Sequence, residues 1–342
     1  MNRIGLDVGT KNIVLAYRDG NKKIKFKREI NGFLSIEKTD GFMGQMLKMQ
    51  KVPVIERDDR FIALGQKAEE MAYAFGNFLR RPMEQGVLSV GEDEAMKIVS
   101  AIIKGIIGKL KDDTVLYYCV PAKAVNAEVN VQFHQKIVQA IVDSYRSDEF
   151  KLVGHPMNEA RAIVLSQIPD KTGIAVSFGA GMVNVSYCMF GLPIYEFSIV
   201  GSGDWIDVET ARVTGNLEED EHGKSKAAQL VTKAKEEIDL SKGMPSDNLS
   251  RAIYINYGLL IDNVVKGIVE GFMKNESKAR SGKPMPVICA GGTSSPNGFL
   301  EMFANAFQKE KMPFDVGEIS RAPEPLYAVA EGCLIACELH EE

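Results

Sequence analysis

Three glycine turns in this chain have the residue types to hold an anion. Asp7-Val8-Gly9-Thr10 ends one apolar run, Gly179-Ala180-Gly181 ends a second and Gly291-Gly292-Thr293 ends a third. A strand that stops in such a turn presents backbone N–H groups to one point, glycine lets a ligand come close, and a hydroxyl adds a donor. Phosphate suits that arrangement, and Asp7 stands where it could hold the water shell of a cation. One glycine hairpin alone is weak evidence, because many bind nothing; the sequence offers three. Other phosphate devices are absent. No G-x-x-x-x-G-K-[ST] occurs, Gly201-Ser202-Gly203 runs into Asp204-Trp205-Ile206 without completing a dinucleotide fingerprint, and no zincin, nucleophile-elbow or kinase signature is found.

The elements that must position these turns are strands. Ile4-Gly5-Leu6-Asp7-Val8 leads through the first turn into Ile13-Val14-Leu15-Ala16-Tyr17, and a near copy runs from Gly173 to Tyr187 through Gly179-Ala180-Gly181. Two hairpins of one design suggest an internal duplication, with one half starting near residue 1 and the other near residue 150. Between them, Glu92 to Leu110 places Ile98, Ile102, Ile103, Ile106, Ile107 and Leu110 at helix spacing. Val115–Val120 reads as a buried strand and Asn126–Tyr145 as a helix. In the second half, Lys224–Ile238 and Ala252–Lys274 read as helices, Pro286–Ala290 as a strand and Pro325–Leu339 as a closing helix. The uncharged stretch Thr172–Tyr195 is long enough for a membrane span but is broken by glycines and Pro193, and reads as two strands and a turn. Strands alternating with helices in two similar lobes make an α/β protein.

Composition bounds the rest. The chain has 342 residues, 41 Lys+Arg against 46 Asp+Glu, a net charge of −5, 45% hydrophobic and 25% charged residues. That length suggests about two domains, each able to bury a core. A pI near 5.6 without a basic tract makes nucleic acid an unexpected partner. Five cysteines in apolar runs, with no C-x-x-C pair, indicate neither a disulfide framework nor a zinc site; Cys333 and Cys337 share a helix face and read as core packing. Met-Asn-Arg runs straight into the first strand, so neither an export signal nor an N-terminal amphipathic helix is expected, and the expected location is the cytoplasm.

The ordered set of Ile4-Gly5-Leu6-Asp7-Val8-Gly9-Thr10, Arg81-Pro82-Met83-Glu84-Gln85-Gly86-Val87, the 173–187 hairpin and Ala290-Gly291-Gly292-Thr293 resembles the actin superfamily. Within it the likeness is to bacterial actins of the MreB and MamK type, through the Arg-Pro-Met-x-x-Gly-Val connector, Val120-Pro121-Ala122-Lys123-Ala124 and Ala328-Val329-Ala330-x-Gly332. The resemblance implies an actin-like fold, two duplicated lobes around a cleft that holds ATP or ADP with Mg²⁺. Lobe I would cover residues 1–150, with an outer subdomain at about 31–75 and the closing helix 325–342 returning to it. Lobe II would cover 151–324, with an outer subdomain at about 206–252. By resemblance, Asp7, Gly9, Thr10, Lys11 and Asn12 form the first phosphate loop, Asp7 also serving the metal, and Gly179, Ala180, Gly181 and Met182 form the second. Gly291, Gly292 and Thr293 would line the adenosine pocket with Lys235 and Glu236, although a Lys-Glu-Glu run also reads as a solvated face.

Two positions depart from that pattern. Ser177 stands where the second phosphate strand of the family has Asp, which removes one of two carboxylates that organise hydrated Mg²⁺; loss of such a group commonly costs about 10–100-fold in metal affinity or activity. In Val153-Gly154-His155-Pro156-Met157-Asn158-Glu159-Ala160, His155 stands where bacterial actins usually have the Glu that orients the attacking water. An imidazole can position water or accept a proton, Glu159 one turn later could reach the cleft instead, or His155 only joins a strand to a helix.

The function these features imply is an ATP-binding protein that polymerises with itself into cytoplasmic filaments, with weak ATPase activity at most. Met43, Met46 and Met49 could offer an adaptable filament contact or fill the outer subdomain's own core. The alternatives are a non-polymerising nucleotide-binding adaptor of the same fold and, disfavoured by Ser177, a small-molecule kinase of the superfamily. The chaperone branch is not expected, because no substrate-binding segment follows the second lobe.

Overall fold

The computed structural model describes residues 3–38, 41–89, 92, 94–110, 113–145, 152–219, 225–275 and 282–339. Two five-stranded mixed sheets form its frame. The first runs in the order Ile24–Ile30, Asn12–Arg18, Arg3–Val8, Thr114–Val120, Leu152–Asn158. The second runs Leu192–Val200, Met182–Met189, Gly173–Phe178, Met285–Ala290, Val316–Arg321. In each, three consecutive strands form an antiparallel meander, and two later strands add in parallel beside the first. The hairpin copies seen in the sequence are therefore the matching central hairpins of two sheets with one topology.

Parallel strands enter such a sheet only through long crossovers, which cover its faces with helices. The Gly173–Phe178 strand is accordingly buried at all six positions. Helix Ala95–Ile107 buries Ile98, Ile102, Ile103, Ile106 and Ile107 against the first sheet, as their spacing predicts. Helix Val131–Asp143 starts later than its apolar pattern suggests, because the Asn130 side chain accepts a hydrogen bond from the Phe133 N–H at 2.8 Å and so caps it there. The expected helix over 224–238 is divided: Ser225–Ala227 pairs with Leu217–Glu219 as a short hairpin, and the helix spans Gln229–Glu237.

Helices Glu159–Gln167 and Ala328–Leu339 pack between the sheets in a core of small residues that includes Cys119, Ala160, Ala175, Ala290, Ala328 and Cys333. Their approach depends on glycine. A Cβ at Gly332 would lie 1.9 Å from Ala162 O, and one at Gly5 would lie 2.0 Å from Ala330 O, so the closing helix presses on both the neighbouring helix and the first strand. Beyond the first sheet, Phe33–Glu37, Val54–Glu56 and Arg60–Leu64 form a small sheet with helices Gly41–Met49 and Gly65–Phe75. Met43 and Met46 pack into its core, whereas Met49 is 80% exposed. Helix Asn248–Asn275 is apolar and long enough to cross a membrane by length and composition, but 44% of its most apolar window is buried, and it carries much of the second sheet's core. All five cysteines are buried and unbridged.

Candidate functional site

The first and second glycine turns are built alike. The Gly9 N–H donates to Asn12 O at 3.0 Å, and the Gly179 N–H donates to Met182 O at 3.1 Å, each closing a hairpin whose two strands pair in register up to the turn. The two turns meet. A Cβ at Gly181 would lie 2.8 Å from Thr10 Oγ1 and 2.5 Å from Gly86 N, so only glycine lets the second turn, the first turn and the Arg81–Val87 connector converge. Met182 fills the other side of that contact, packed against Gly86. The third turn joins them from the second sheet: the Thr293 hydroxyl donates to Gly179 O at 2.7 Å, and Gly291, at φ +91°, sits directly on the Phe178 backbone. Gly292 and Thr293 begin a short 3-10 turn that ends at Ser294.

Asp7 is the penultimate residue of the first strand, just before Val8 and the turn, and Glu159 opens the helix that follows Leu152–Asn158. The Asn158 side chain caps that helix by accepting from the Ala160 and Arg161 N–H groups at 2.9 and 3.3 Å, which fixes the direction in which Glu159 leaves the strand. Ser177 Oγ donates to Glu159 Oε2 at 3.4 Å, and the Cys119 thiol donates to Asp7 Oδ1 at 2.9 Å. Burial pushes both carboxyls above the usual carboxylate range, and Asp7 raises Glu159 further; the opposing influences are hydrogen bonds from Cys119 to Asp7 and from Ser177 and Asn184 to Glu159. None of those groups is a cation. Two acids held together without a counter-charge form a site that a cation would stabilise.

His155 does not share this position. Strand register sets Gly5, Tyr117 and His155 in one row, and the His155 ring lies on Tyr117 with centroids 4.8 Å apart. Cys119, which touches Asp7, pairs instead with Met157. His155 is thus one side-chain row back from Asp7, roughly 6–7 Å along the strands. The acid that the geometry brings to Asp7 and Ser177 is Glu159.

Lys11, of the first phosphate loop by resemblance, and Glu236, of the adenosine pocket by resemblance, form an ion pair of 2.6 Å between the first turn and helix Gln229–Glu237. Lys235 is not on a solvated face. Its ammonium donates to Asp207 Oδ2 and to Gly203 O, both at 2.6 Å, tying its helix to Gly203–Thr214. That second helix starts against the second turn, with the Gly203 and Asp204 N–H groups donating to Gly179 O and Ala180 O at 3.3 and 2.9 Å. Asp7, Gly9, Thr10, Gly179, Ala180, Gly181, Met182, Glu159 and Thr293 are therefore brought together, while Lys235 and Glu236 reach the group through Gly203 and Lys11.

Further residues, unmarked in the sequence, brace the turns. Asn31, fully buried, donates its side-chain N–H to Gly9 O at 2.9 Å and its backbone N–H to Lys11 O at 2.9 Å, holding the first turn from behind. Asn184 Oδ1 accepts from the Ala122 N–H at 2.9 Å, which couples the segment after Val120 to the second sheet. These partners lie far apart in the chain and carry no spacing signal. Around the turns, Asn12 Oδ1, Ser202 Oγ and Asp207 Oδ1 are buried without a partner among the described residues. Buried polar atoms are rarely left so, and their grouping here fits a polar ligand. Among the described residues, no three His, Cys, Asp or Glu groups converge on one point, so a metal here would be held through water and a ligand's own oxygens and not by a protein cage.

No curated protein matches the chain. Among solved structures it resembles the MamK double helical filament, with a TM-score of 0.66 and 15% identity over 99% of this chain and 98% of that one. It also resembles MreB5 of Spiroplasma citri bound to AMPPNP, with a TM-score of 0.64 and 15% identity over 99% and 96% of the two chains. The ethanolamine utilization protein EutJ from Carboxydothermus hydrogenoformans follows at a TM-score of 0.54 and 14% identity over 97% and 89%. These likenesses establish an actin-like fold, in agreement with the paired sheets and their central hairpins. With the Volactin family model matching residues 1–337, nearly the whole of that fold, the chain belongs to the Volactin family and has an actin-like fold.

Proposed function

We propose that this chain binds ATP or ADP with Mg²⁺ at the meeting point of its three glycine turns and polymerises with itself into cytoplasmic filaments, hydrolysing ATP slowly. The observation that carries the reading is the Asp7–Glu159 pair: two carboxyls raised by burial, shifted by no cation, beside turns whose N–H groups suit phosphate and rimmed by unpartnered polar atoms. Bound Mg²⁺ would neutralise the phosphates and the acid pair together. Asp7 would hold the ion's water shell. Gly9, Thr10, Lys11 and Asn12 would take the phosphates from one side and Gly179 to Met182 from the other. Gly291, Gly292 and Thr293 would line the adenosine, backed by the helix of Lys235 and Glu236.

Glu159 would orient the attacking water, being the acid beside Asp7, with His155 a row behind. Ser177 contributes a hydrogen bond to Glu159 but no charge, which supports slow turnover. The lobes would comprise residues 1–150 with 325–342, and residues 151–324. Filament formation is supported by the fold shared with the MamK double helical filament and MreB5. Head-to-tail stacking of such a two-lobed unit is a heterologous contact that does not close, and so extends.

High-speed sedimentation with Mg-ATP, beside ADP and nucleotide-free samples, tests this. A pellet that requires ATP and persists is expected. Protein that binds ATP yet stays in the supernatant at every concentration would contradict polymerisation and favour a nucleotide-binding adaptor.

A further inference from the structure

We propose that Cys119 is a positioning residue for Asp7, its thiol fixing the carboxylate in the orientation that serves a hydrated Mg²⁺ beside bound nucleotide. The proposal rests on the nucleotide reading above. Cys119 lies on Thr114–Val120, the parallel neighbour of the strand that carries Asp7. It is 1% exposed and bonds in two directions: Sγ donates to Asp7 Oδ1 at 2.9 Å and accepts the Val8 N–H at 3.1 Å. Through one sulfur, the site carboxylate is tied to the backbone that opens the first turn. With Oδ1 held this way, Oδ2 is the oxygen left for a ligand's water.

Two other thiols bond elsewhere. Cys337 donates to Ile4 O at 3.0 Å, and Cys188 lies against Ser186 at 3.2 Å, far from the turns in register. Packing alone does not account for Cys119 either. A valine would fill a similar volume while leaving both Asp7 Oδ1 and the Val8 N–H without the sulfur that joins them. A side chain that orients a metal's ligand typically changes metal affinity about 10–100-fold when removed.

The test compares the native protein with Cys119→Val and Cys119→Ser, measuring ATP affinity by calorimetry with Mg²⁺ and with EDTA, and thermal unfolding without nucleotide. Cys119→Val is expected to lose about 10-fold in ATP affinity with Mg²⁺ and nothing in EDTA. Cys119→Ser keeps the donor and should stay within about threefold of the native protein in both. Equal losses with and without Mg²⁺, no loss in Cys119→Val, or the same loss in both variants would overturn the proposal. If Cys119→Val does not fold, Cys119→Ala is read by the same criteria. A native protein that binds no ATP overturns the nucleotide reading and this proposal together; a native protein that binds ATP beside indifferent variants overturns this proposal alone.

Discussion

Arg81 Nη1 lies 2.9 and 2.8 Å from the two carboxylate oxygens of Asp204, joining the connector before Met83 to the first turn of helix Gly203–Thr214. With Lys11–Glu236, it ties parts of the first half of the chain to helices of the second. Both side chains are about one third exposed, at 31% and 32%, so the pair ranks between a surface bridge and a buried one. Asp204→Asn should destabilise the protein by about 1–2 kcal/mol in urea unfolding. Burial pushes the Asp204 carboxyl up, but Arg81 and Lys235 outweigh it and leave the group below its usual range. Its contribution is therefore present at neutral pH and is lost as pH falls below about 4, a loss that Asp204→Asn should not show.

The acid pair works in the opposite sense. Burial first and Asp7 second raise Glu159 to about 8, so above about pH 4 the unfolded chain has released a proton that the folded site retains. Stability without nucleotide then falls as pH rises from that point through neutrality. Glu159→Gln should flatten this limb and stabilise the ligand-free protein near pH 8, while slowing ATP hydrolysis about 10²–10⁴-fold if Glu159 orients the water. Thermal unfolding across pH and phosphate release measure the two effects separately.

His134 gives a third pH limb, unrelated to the site. It is fully buried in helix Val131–Asp143, neither ring nitrogen has a partner among the described residues, and burial lowers it to about 4. Below its unfolded value near 6.5, the unfolded chain takes a proton that the native state refuses, so stability falls as pH drops from about 6.5 to 4, by about 3 kcal/mol in total. His134→Leu should remove that dependence and raise stability at pH 5. Unchanged acid sensitivity in the variant would contradict the assignment.

Ser177→Asp restores a charge beside Glu159, whose Oε2 the serine now contacts at 3.4 Å. A third acid next to Asp7 and Glu159 should lower the melting temperature of the ligand-free protein and raise its Mg²⁺ affinity with ATP about 10-fold. The combination is the signature, because a merely disruptive substitution would weaken both.

Much of the fold is legible in the sequence, for identifiable reasons. The hairpins through Gly9 and Gly179 carry apolar runs and glycine punctuation, and the isoleucines from 98 to 107 repeat at a helical period. The short strand Ser225–Ala227 is not legible, since three residues hold no period. At the site, the turns are visible as motifs, but the choice between His155 and Glu159 depends on how far Leu152–Asn158 slides along Thr114–Val120. Register between parallel strands joined by a long crossover leaves no local mark. The pairings of Cys119 with Asp7 and of Asn31 with Gly9 are equally silent, because the partners lie far apart in the chain and no local pattern marks Cys119 or Asn31.

In the proposed function the glycine turns and Asp7 together hold a Mg-nucleotide. Equilibrium binding of ATP, with and without Mg²⁺, to the native protein and to Asp7→Asn tests it most directly. Binding by the native protein that Mg²⁺ strengthens is expected, with a loss of about 10–100-fold in that Mg²⁺-dependent part for Asp7→Asn. A native protein that binds no ATP, or an Asp7→Asn variant that binds Mg-ATP as tightly as the native protein, would contradict it.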